Sequence, residues 1–321
     1  ASRLRANALL LLAALIWGSA FVGQSVGMAS IGPLAFTGLR FLLGAAVVAP
    51  FAWREWQQLA AAGHAPGRRE ARWVLLLGAL LCLGVVLQQI GIVSTSVTNA
   101  GFLTALYVPL VPLLGWVFQR QVPHWSVWPA TAGCLVGTWL LTGGAQAAVD
   151  GVGLSRGDLW VIVSAVPWAV HVLLVGQVAN RLRGAFVLAC GQFLVCALAS
   201  LVLAALLEPA PLAGAAQAAG AIAYTGILSV GIGFTAQVIG QRHAPPADAE
   251  SKPAVLCLLA VLVQTGVVFD ECDEAVQQLH KPYPVTVPGA DRIAQDYASR
   301  GHHRIAKLLQ ELGGYVGGFD Q

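Results

Sequence analysis

The side chains of this sequence that are best able to bind a small solute are amides, aromatic rings and one histidine within long apolar segments. Amides donate and accept hydrogen bonds without a fixed charge, and aromatic rings supply flat apolar surface. A polar group inside an apolar helix is costly, so it normally faces a cavity or a neighbouring helix. The residues that we expect to line a solute cavity are Trp17, Gln24, Gln88, Gln89, Asn99, Tyr107, Trp168, His171, Tyr224 and Gln237.

Several of these positions recur along the chain at a nearly constant distance. Trp17 recurs as Trp168, 151 residues later, and Gln88 recurs as Gln237, 149 residues later. Such self-similarity indicates a duplicated structural unit, and membrane proteins built in this way place their binding site where the two units meet. The alternative for the glutamines is hydrogen bonding between helices, and for the tryptophans it is ordinary packing.

Two basic side chains also lie well inside apolar segments. Histidine changes charge near neutral pH, so His171 could couple solute movement to protons. A neutral histidine bonded to a neighbouring helix is the alternative. Arg40 has Gln192 as its repeat counterpart, 152 residues later, so its charge is not part of a symmetric site. We expect Arg40 to cap backbone carbonyls or to extend toward the aqueous face, rather than to bind a carboxylate.

The composition indicates whether these segments are surrounded by water or by lipid. Hydrophobic residues make up 57% of the 321 residues and charged residues only 10%. A soluble domain carries about a quarter charged residues. The apolar blocks are too continuous for barrel strands, which alternate over about 10 residues. The sequence therefore predicts an all-α polytopic membrane protein.

Crossing a bilayer core of ~30 Å takes about 20 apolar residues in a helix. Eight segments are long enough, and they are 8–27, 33–52, 73–93, 98–118, 124–142, 158–178, 185–207 and 218–240. A ninth candidate, Pro253–Phe269, is barely long enough.

The arginines predict the orientation of these spans. If the N-terminus is cytoplasmic, the loops on the cytoplasmic side contain ten arginines and those on the other side contain only Arg156. Cytoplasmic loops of membrane proteins carry an excess of basic residues, so this orientation is favoured.

The pattern changes near residue 250. Acidic residues concentrate from Asp270 onward, and the last segment, Asp291–Gly314, has the periodicity of a soluble helix. We therefore divide the chain into a first transmembrane repeat, a second repeat that is incomplete after about 250, and a soluble acidic tail. The bounds of these three parts are 6–143, 155–269 and 270–321.

At residues 6–249 the sequence resembles the EamA-type branch of the drug/metabolite transporter superfamily. The motifs that carry the resemblance are Leu15-Ile16-Trp17-Gly18-Ser19-Ala20-Phe21, Arg40-Phe41, Gln89-Ile90-Gly91, Thr98-Asn99-Ala100-Gly101-Phe102-Leu103 and, in the second repeat, Ala165–Trp168 and His243–Ala249. The resemblance implies ten helices in two inverted repeats, both termini cytoplasmic, and a central cavity. The last one or two helices of that plan are replaced or degraded in this chain.

The resemblance also implies a function. We expect a bacterial inner-membrane protein that exports small amphipathic metabolites, most of all amino acids, by alternating access. Efflux of drugs or aromatic cations is an alternative, and a non-transporting membrane scaffold is another. Small multidrug members of the superfamily use a membrane glutamate for proton coupling, and the eight spans hold no glutamate at depth.

Other classes of function lack a signature in the sequence. There is no phosphate loop, nucleophilic triad or zinc motif, and the six cysteines lack metal-ligand spacing, so we expect no enzyme, cofactor, metal or nucleic-acid partner. Gly133 and Gly137 form a GxxxG motif, which allows two helices to approach closely. This motif makes a homodimer a further expectation.

Overall fold

The computed structural model describes residues 2–120 and 154–243, together with 125, 128, 129, 132, 133 and 136. Within these residues every regular element is helical. Seven segments are long and apolar enough to cross a membrane, and they agree with seven of the eight predicted spans. These are Ala8–Met28, Pro33–Ala61, Arg68–Ile92, Asn99–Phe118, Arg156–Ala179, Ala185–Leu207 and Ala219–Gln241.

The remaining predicted segments lie largely or wholly outside the described residues: the span at 124–142, the candidate Pro253–Phe269 and the tail. Two of the seven spans are composite. α4 and α5 are separated by a turn, and α8 and α9 flank a π-helix, which we call π1. The elements are α1 (Ser2–Met28), α2 (Pro33–Ala61), α3 (Arg68–Ile92), α4 (Val97–Thr104), α5 (Tyr107–Gln119), α6 (Arg156–Leu182), α7 (Ala185–Leu207), α8 (Ala219–Tyr224), π1 (Thr225–Phe234) and α9 (Thr235–His243).

The start of α6 is fixed by a capping box that is readable in the sequence. The Ser155 hydroxyl accepts a hydrogen bond from the Asp158 backbone N–H, and the Asp158 carboxylate accepts one from the Ser155 N–H. The same carboxylate accepts hydrogen bonds from the Thr95 hydroxyl and, at 3.5 Å, from the Asn99 amide. Asp158 therefore joins the start of α6 to the segment that leads into α4.

α2 and α7 begin differently, because each follows a glycine that has no side chain to cap it. Glu208, directly after α7, accepts hydrogen bonds from the backbone N–H groups of Leu34 (2.8 Å) and Ala35 (3.2 Å) in the first turn of α2. A carboxylate at a helix N-terminus satisfies unpaired N–H groups and favours the helix dipole.

The first turn of α7 is capped in the same way from α2. Glu55 accepts hydrogen bonds from the N–H groups of Ala185 (3.1 Å) and Val187 (2.9 Å). We call these two arrangements the reciprocal glutamate caps. Because each carboxylate comes from the C-terminal end of one helix and caps the start of the other, α2 and α7 lie side by side and antiparallel. Since they are counterpart helices of the two repeats, the repeats are inverted.

Close contacts at two glycines show the same relation between the two repeats in other helices. A methyl group added at Gly91 of α3 would lie 2.6 Å from a Val161 methyl and 2.7 Å from the Gly157 carbonyl oxygen of α6. At Gly240 of α9 it would meet the counterparts of those residues, Leu10 and Ala6 of α1. α3 therefore packs closely on α6, and α9 packs in the same way on α1.

The π-helix accounts for one change in the spacing between the repeats. Gly78 lies against Val195 of α7, and Gly226 lies against Leu43 of α2. Since Leu43 and Val195 are equivalent positions of the two repeats, Gly226 is the counterpart of Gly78. These two glycines are 148 residues apart, whereas Gly84 and its counterpart are 149 apart. The second copy thus has one extra residue between these points, and this interval lies within Thr225–Phe234. A π-helix accommodates an inserted residue without ending the helix.

Candidate functional site

An aromatic cluster lies where the two repeats meet, and Phe234 of π1 is its centre. The Phe234 ring contacts rings from four other helices. These are Trp17 at 4.8 Å between centroids, Phe41 at 5.8 Å, Trp168 at 5.7 Å and Phe193 at 6.0 Å. The Trp168 and Phe234 rings are stacked, with 6° between their planes.

Trp17 and Trp168 occupy equivalent places in the two repeats. A methyl group added at Gly84 would lie 3.3 Å from the Trp168 indole, and one added at Gly233 would lie 2.8 Å from the Trp17 indole nitrogen. Each indole therefore covers a glycine of the other repeat. Trp17 also donates a hydrogen bond from Nε1 to the backbone oxygen of Ser229 (3.3 Å), so the two environments are related but not identical.

Two buried polar side chains, His171 and Gln192, lie beside this cluster and next to Trp168. His171 Nε2 and Gln192 Oε1 are 2.9 Å apart, and the rings of Trp168 and His171 meet edge to face at 6.1 Å between centroids. His171 and Gln192 are both fully buried, and Trp168 is 8% exposed. Among the described residues, His171 Nδ1, Gln192 Nε2 and Trp168 Nε1 have no hydrogen-bond partner. Three buried polar atoms of neighbouring side chains thus lack a hydrogen-bond partner among the described residues.

The predicted glutamines of the first repeat are buried and bonded to neighbouring elements. Gln88 donates a hydrogen bond from Nε2 to the Thr104 hydroxyl at 2.9 Å, and Gln89 donates one to the Met28 sulfur at 3.1 Å. Gln24 donates to the Ala20 carbonyl of its own helix. Gln88 and Gln89 thus form hydrogen bonds between helices, which was the alternative to a role in the cavity. The Oε1 atoms of Gln24 and Gln89 remain without a partner among the described residues.

The remaining predicted residues differ in exposure. Gln237 is buried, and its Oε1 has no partner in the described part of the chain. Tyr107 is partly buried against the core. Tyr224 is exposed and donates a hydrogen bond from its hydroxyl to Ser19 at 2.6 Å. Asn99 lies near Asp158, at the start of α4. Whether these residues bind a solute stays a prediction.

Arg40 differs from the sequence-based expectation. Its side chain is 2% exposed, so it does not extend toward an aqueous face. The guanidinium carbon lies 5.7 Å from the centroid of the Phe36 ring and 5.2 Å from that of Phe41. Nε has no hydrogen-bond partner among the described residues. One of the two expected placements of Arg40, at the aqueous face, was therefore wrong, and the buried guanidinium makes cation–π contacts with two rings of its own helix.

The sequence reasoning missed two residues of this region. Phe234 carries no signal, because one phenylalanine in an apolar run is not distinguished from its neighbours. Gln192 did carry a signal, since it is the repeat counterpart of Arg40 and a lone amide in the apolar segment Ala185–Leu207.

The described residues contain little that bears on the expectations about metals and self-association. Within the described residues, no group of three or more histidine, cysteine, aspartate or glutamate side chains could hold a metal ion. Gly137, and with it the GxxxG motif, lies outside those residues.

The fold and this region together define a multi-pass membrane protein of two inverted helical repeats. A sequence profile described as the EamA-like transporter family matches residues 4–143 and 155–266. Because these matches cover most of the chain, the protein belongs to the EamA-like transporter family. The resemblance seen in the sequence motifs is therefore confirmed, and the second match extends beyond residue 249.

Individual relatives are more distant. An uncharacterized transporter of Archaeoglobus fulgidus is 27% identical over 175 residues, which are 54% of this chain and 50% of the relative. The chain thus aligns with about half the length of that protein. A crystal structure matches 98% of this chain and 96% of its own, with a TM-score of 0.53 and 23% identity. That likeness shows the fold alone.

Proposed function

We propose that this protein exports small zwitterionic metabolites, amino acids most of all, from the cytoplasm. Membership of a transporter family supports transport in general. The single observation that supports the solute class is the group of polar atoms of Trp168, His171 and Gln192 at the aromatic cluster, which lack partners among the described residues. Amides and indoles bind a zwitterion without imposing a net charge on the site.

Alternating access is the mechanism that we propose for this export. Inverted repeats can exchange conformations, so that one set of contacts forms on each side of the membrane in turn. The contacts of Trp17 with Gly233 and of Trp168 with Gly84 support this idea, because they are equivalent between the repeats. The ten residues predicted from the sequence remain our candidates for the cavity that would open.

Our proposal includes a bacterial inner membrane as the location and a cytoplasmic N-terminus. It also includes a homodimer through Gly133 and Gly137, which crosslinking of the adjacent Cys134 would detect. The excess of arginines on one side supports the orientation. An exporter with this orientation would take up its solute on the face that carries Arg54, Arg68 and Arg183.

Counterflow of radiolabelled amino acids into proteoliposomes tests the proposal. We expect accumulation above that of empty vesicles for at least one amino acid, and a loss of at least tenfold in rate for the double variant Gln88→Ala/Gln237→Ala. The control is Ser164→Ala, because the Ser164 hydroxyl donates only to the Val161 carbonyl of its own helix. Wild-type vesicles that exchange no amino acid faster than empty vesicles would refute the proposal.

The aromatic cluster favours a second candidate, efflux of aromatic cations. Trp17, Phe234 and Trp168 could stack on a flat cation, since indole faces attract positive charge. Growth in the presence of ethidium separates the two candidates. Protection that depends on Trp17 and Trp168, without amino-acid exchange, would favour the second.

A further inference from the structure

The polar atoms of Trp168, His171 and Gln192 form a pattern that packing between helices does not require. The contact of His171 with Gln192 alone would join α6 to α7. An additional buried polar atom without a partner costs about 1–3 kcal/mol. Three such atoms belong to side chains that contact one another, and among the described residues none of the three has a partner, so a group bound there would supply what they lack.

The hydrogen-bonding roles of the three atoms follow from the existing contact. Gln192 Oε1 can only accept, so His171 Nε2 carries the proton and donates to it. His171 Nδ1 is then left as an acceptor. Gln192 Nε2 and Trp168 Nε1 are donors, because an amide nitrogen and an indole nitrogen cannot accept. The region therefore offers two kinds of donor and one acceptor.

The Trp168 indole is held in place by its neighbours. Phe234 stacks on one face of the ring, and Gly84 lies against it with no side chain between. A side chain at position 84 would meet the indole at 3.3 Å. The indole N–H donor is thus held by contacts from the other repeat and from π1.

We propose that Trp168, His171 and Gln192 bind the head group of an α-amino acid. The carboxylate accepts hydrogen bonds from the Trp168 indole N–H and the Gln192 amide, and the ammonium group donates one to His171 Nδ1. This inference rests on the proposed function and assigns the zwitterion of the solute to one side of the repeat interface. The counterpart of Gln192 in the first repeat is Arg40 and that of His171 is Ala20, so the first repeat has no equivalent subsite.

Equilibrium binding of L-leucine to the purified protein in detergent tests this subsite, with competition by three analogues. L-Leucinamide lacks the carboxylate, isopentylamine lacks the carboxyl group and 4-methylpentanoate lacks the ammonium group. We expect each analogue to compete at least tenfold more weakly than L-leucine. Equal competition by all four compounds would contradict recognition of the head group.

Variants assign each half of the head group to a residue. Gln192→Glu replaces the donor with a carboxylate of the same shape, so we expect L-leucine to bind at least tenfold more weakly and isopentylamine to bind more tightly. His171→Phe removes the acceptor, so 4-methylpentanoate should bind as well as L-leucine. His171→Asn retains an acceptor near Nδ1 and should keep the preference for the zwitterion. Ser164→Ala serves as the control and should bind as the wild type does.

A spectroscopic readout separates a solute from ordered water. The indole N–H resonance of Trp168, assigned with Trp168→Phe, should shift when L-leucine saturates the wild-type protein. No shift at saturation, or wild-type selectivity in Gln192→Glu and His171→Phe, would overturn the subsite even if the protein exchanges amino acids. Wild-type protein that neither binds L-leucine nor exchanges any amino acid would refute the proposed function and the subsite together.

Discussion

At the scale of single residues, Phe234 joins the two repeats through its ring. It contacts Trp17 and Phe41 of the first repeat and Trp168 and Phe193 of the second. In a membrane the attraction between helices comes from packing rather than from expulsion of water. A residue that packs against rings from four helices should therefore contribute strongly to the stability of the whole assembly.

We expect Phe234→Ala to destabilise the protein by about 3–5 kcal/mol, because truncation of this buried ring removes its contacts and leaves a cavity. Thermal unfolding of the purified protein in detergent measures this effect. Phe186→Ala is the control, since the Phe186 ring is only partly buried at the edge of the core, where it stacks on the half-exposed Phe51. Equal losses of stability in the two variants would argue against a special role for Phe234.

At the scale of helices, close packing depends on glycines at chosen positions. We expect Gly91→Ala to destabilise the protein by about 1–3 kcal/mol, because the new methyl group would overlap Val161 and the Gly157 carbonyl. Gly101→Ala is the control, since a methyl group there meets no atom of the described residues within 4 Å. Alanine also has a higher helix propensity than glycine, so Gly101→Ala should raise the melting temperature slightly. A Gly91→Ala protein that is more stable than Gly101→Ala would contradict this packing.

The reciprocal glutamate caps support a second prediction about helices. We expect Glu208→Ala to destabilise the protein by about 1–3 kcal/mol, because two part-buried N–H groups of α2 lose their partner. Glu70→Ala should cost less than about 1 kcal/mol, since Glu70 accepts one exposed hydrogen bond, from Gly67.

The two caps lie at opposite ends of α2, so they should act independently. Glu55→Ala combined with Glu208→Ala should lower the stability by the sum of the single effects, within about 0.5 kcal/mol. Thermal unfolding of the four proteins in the same detergent gives this comparison. A double variant no less stable than either single variant would show that the caps do not act as the structure indicates.

At the scale of the whole molecule, the antiparallel arrangement of α2 and α7 fixes which loops share a face of the membrane. Single cysteines at Ala62 and Arg183, in a protein without other cysteines, should react with an impermeant maleimide from one side. Cysteines at Ala29 and Ala213 should react only from the other side. All four positions are exposed. Labelling of Ala62 and Arg183 from different sides would be incompatible with inverted repeats.

The sequence alone predicted much of the fold, because the relevant signals are local. A helix that crosses lipid needs an apolar segment of a certain length, and that length can be read directly from the chain. Seven predicted spans agree with the structure for this reason. The repeat was also visible, since duplicated segments keep their spacing even when few residues are identical. The domain bounds and the ten cavity residues remain predictions.

The partner of each side chain was decided only in three dimensions. His171 and Gln192 were both visible as polar residues in apolar segments, yet their contact depends on how α6 and α7 are rotated about their axes. The glutamate caps and the position of Phe234 depend in the same way on all helices packing together. Rotation is set by the sum of many weak contacts between distant segments. The sequence therefore determined which segments enter the membrane, and the tertiary structure decided which atoms meet inside it.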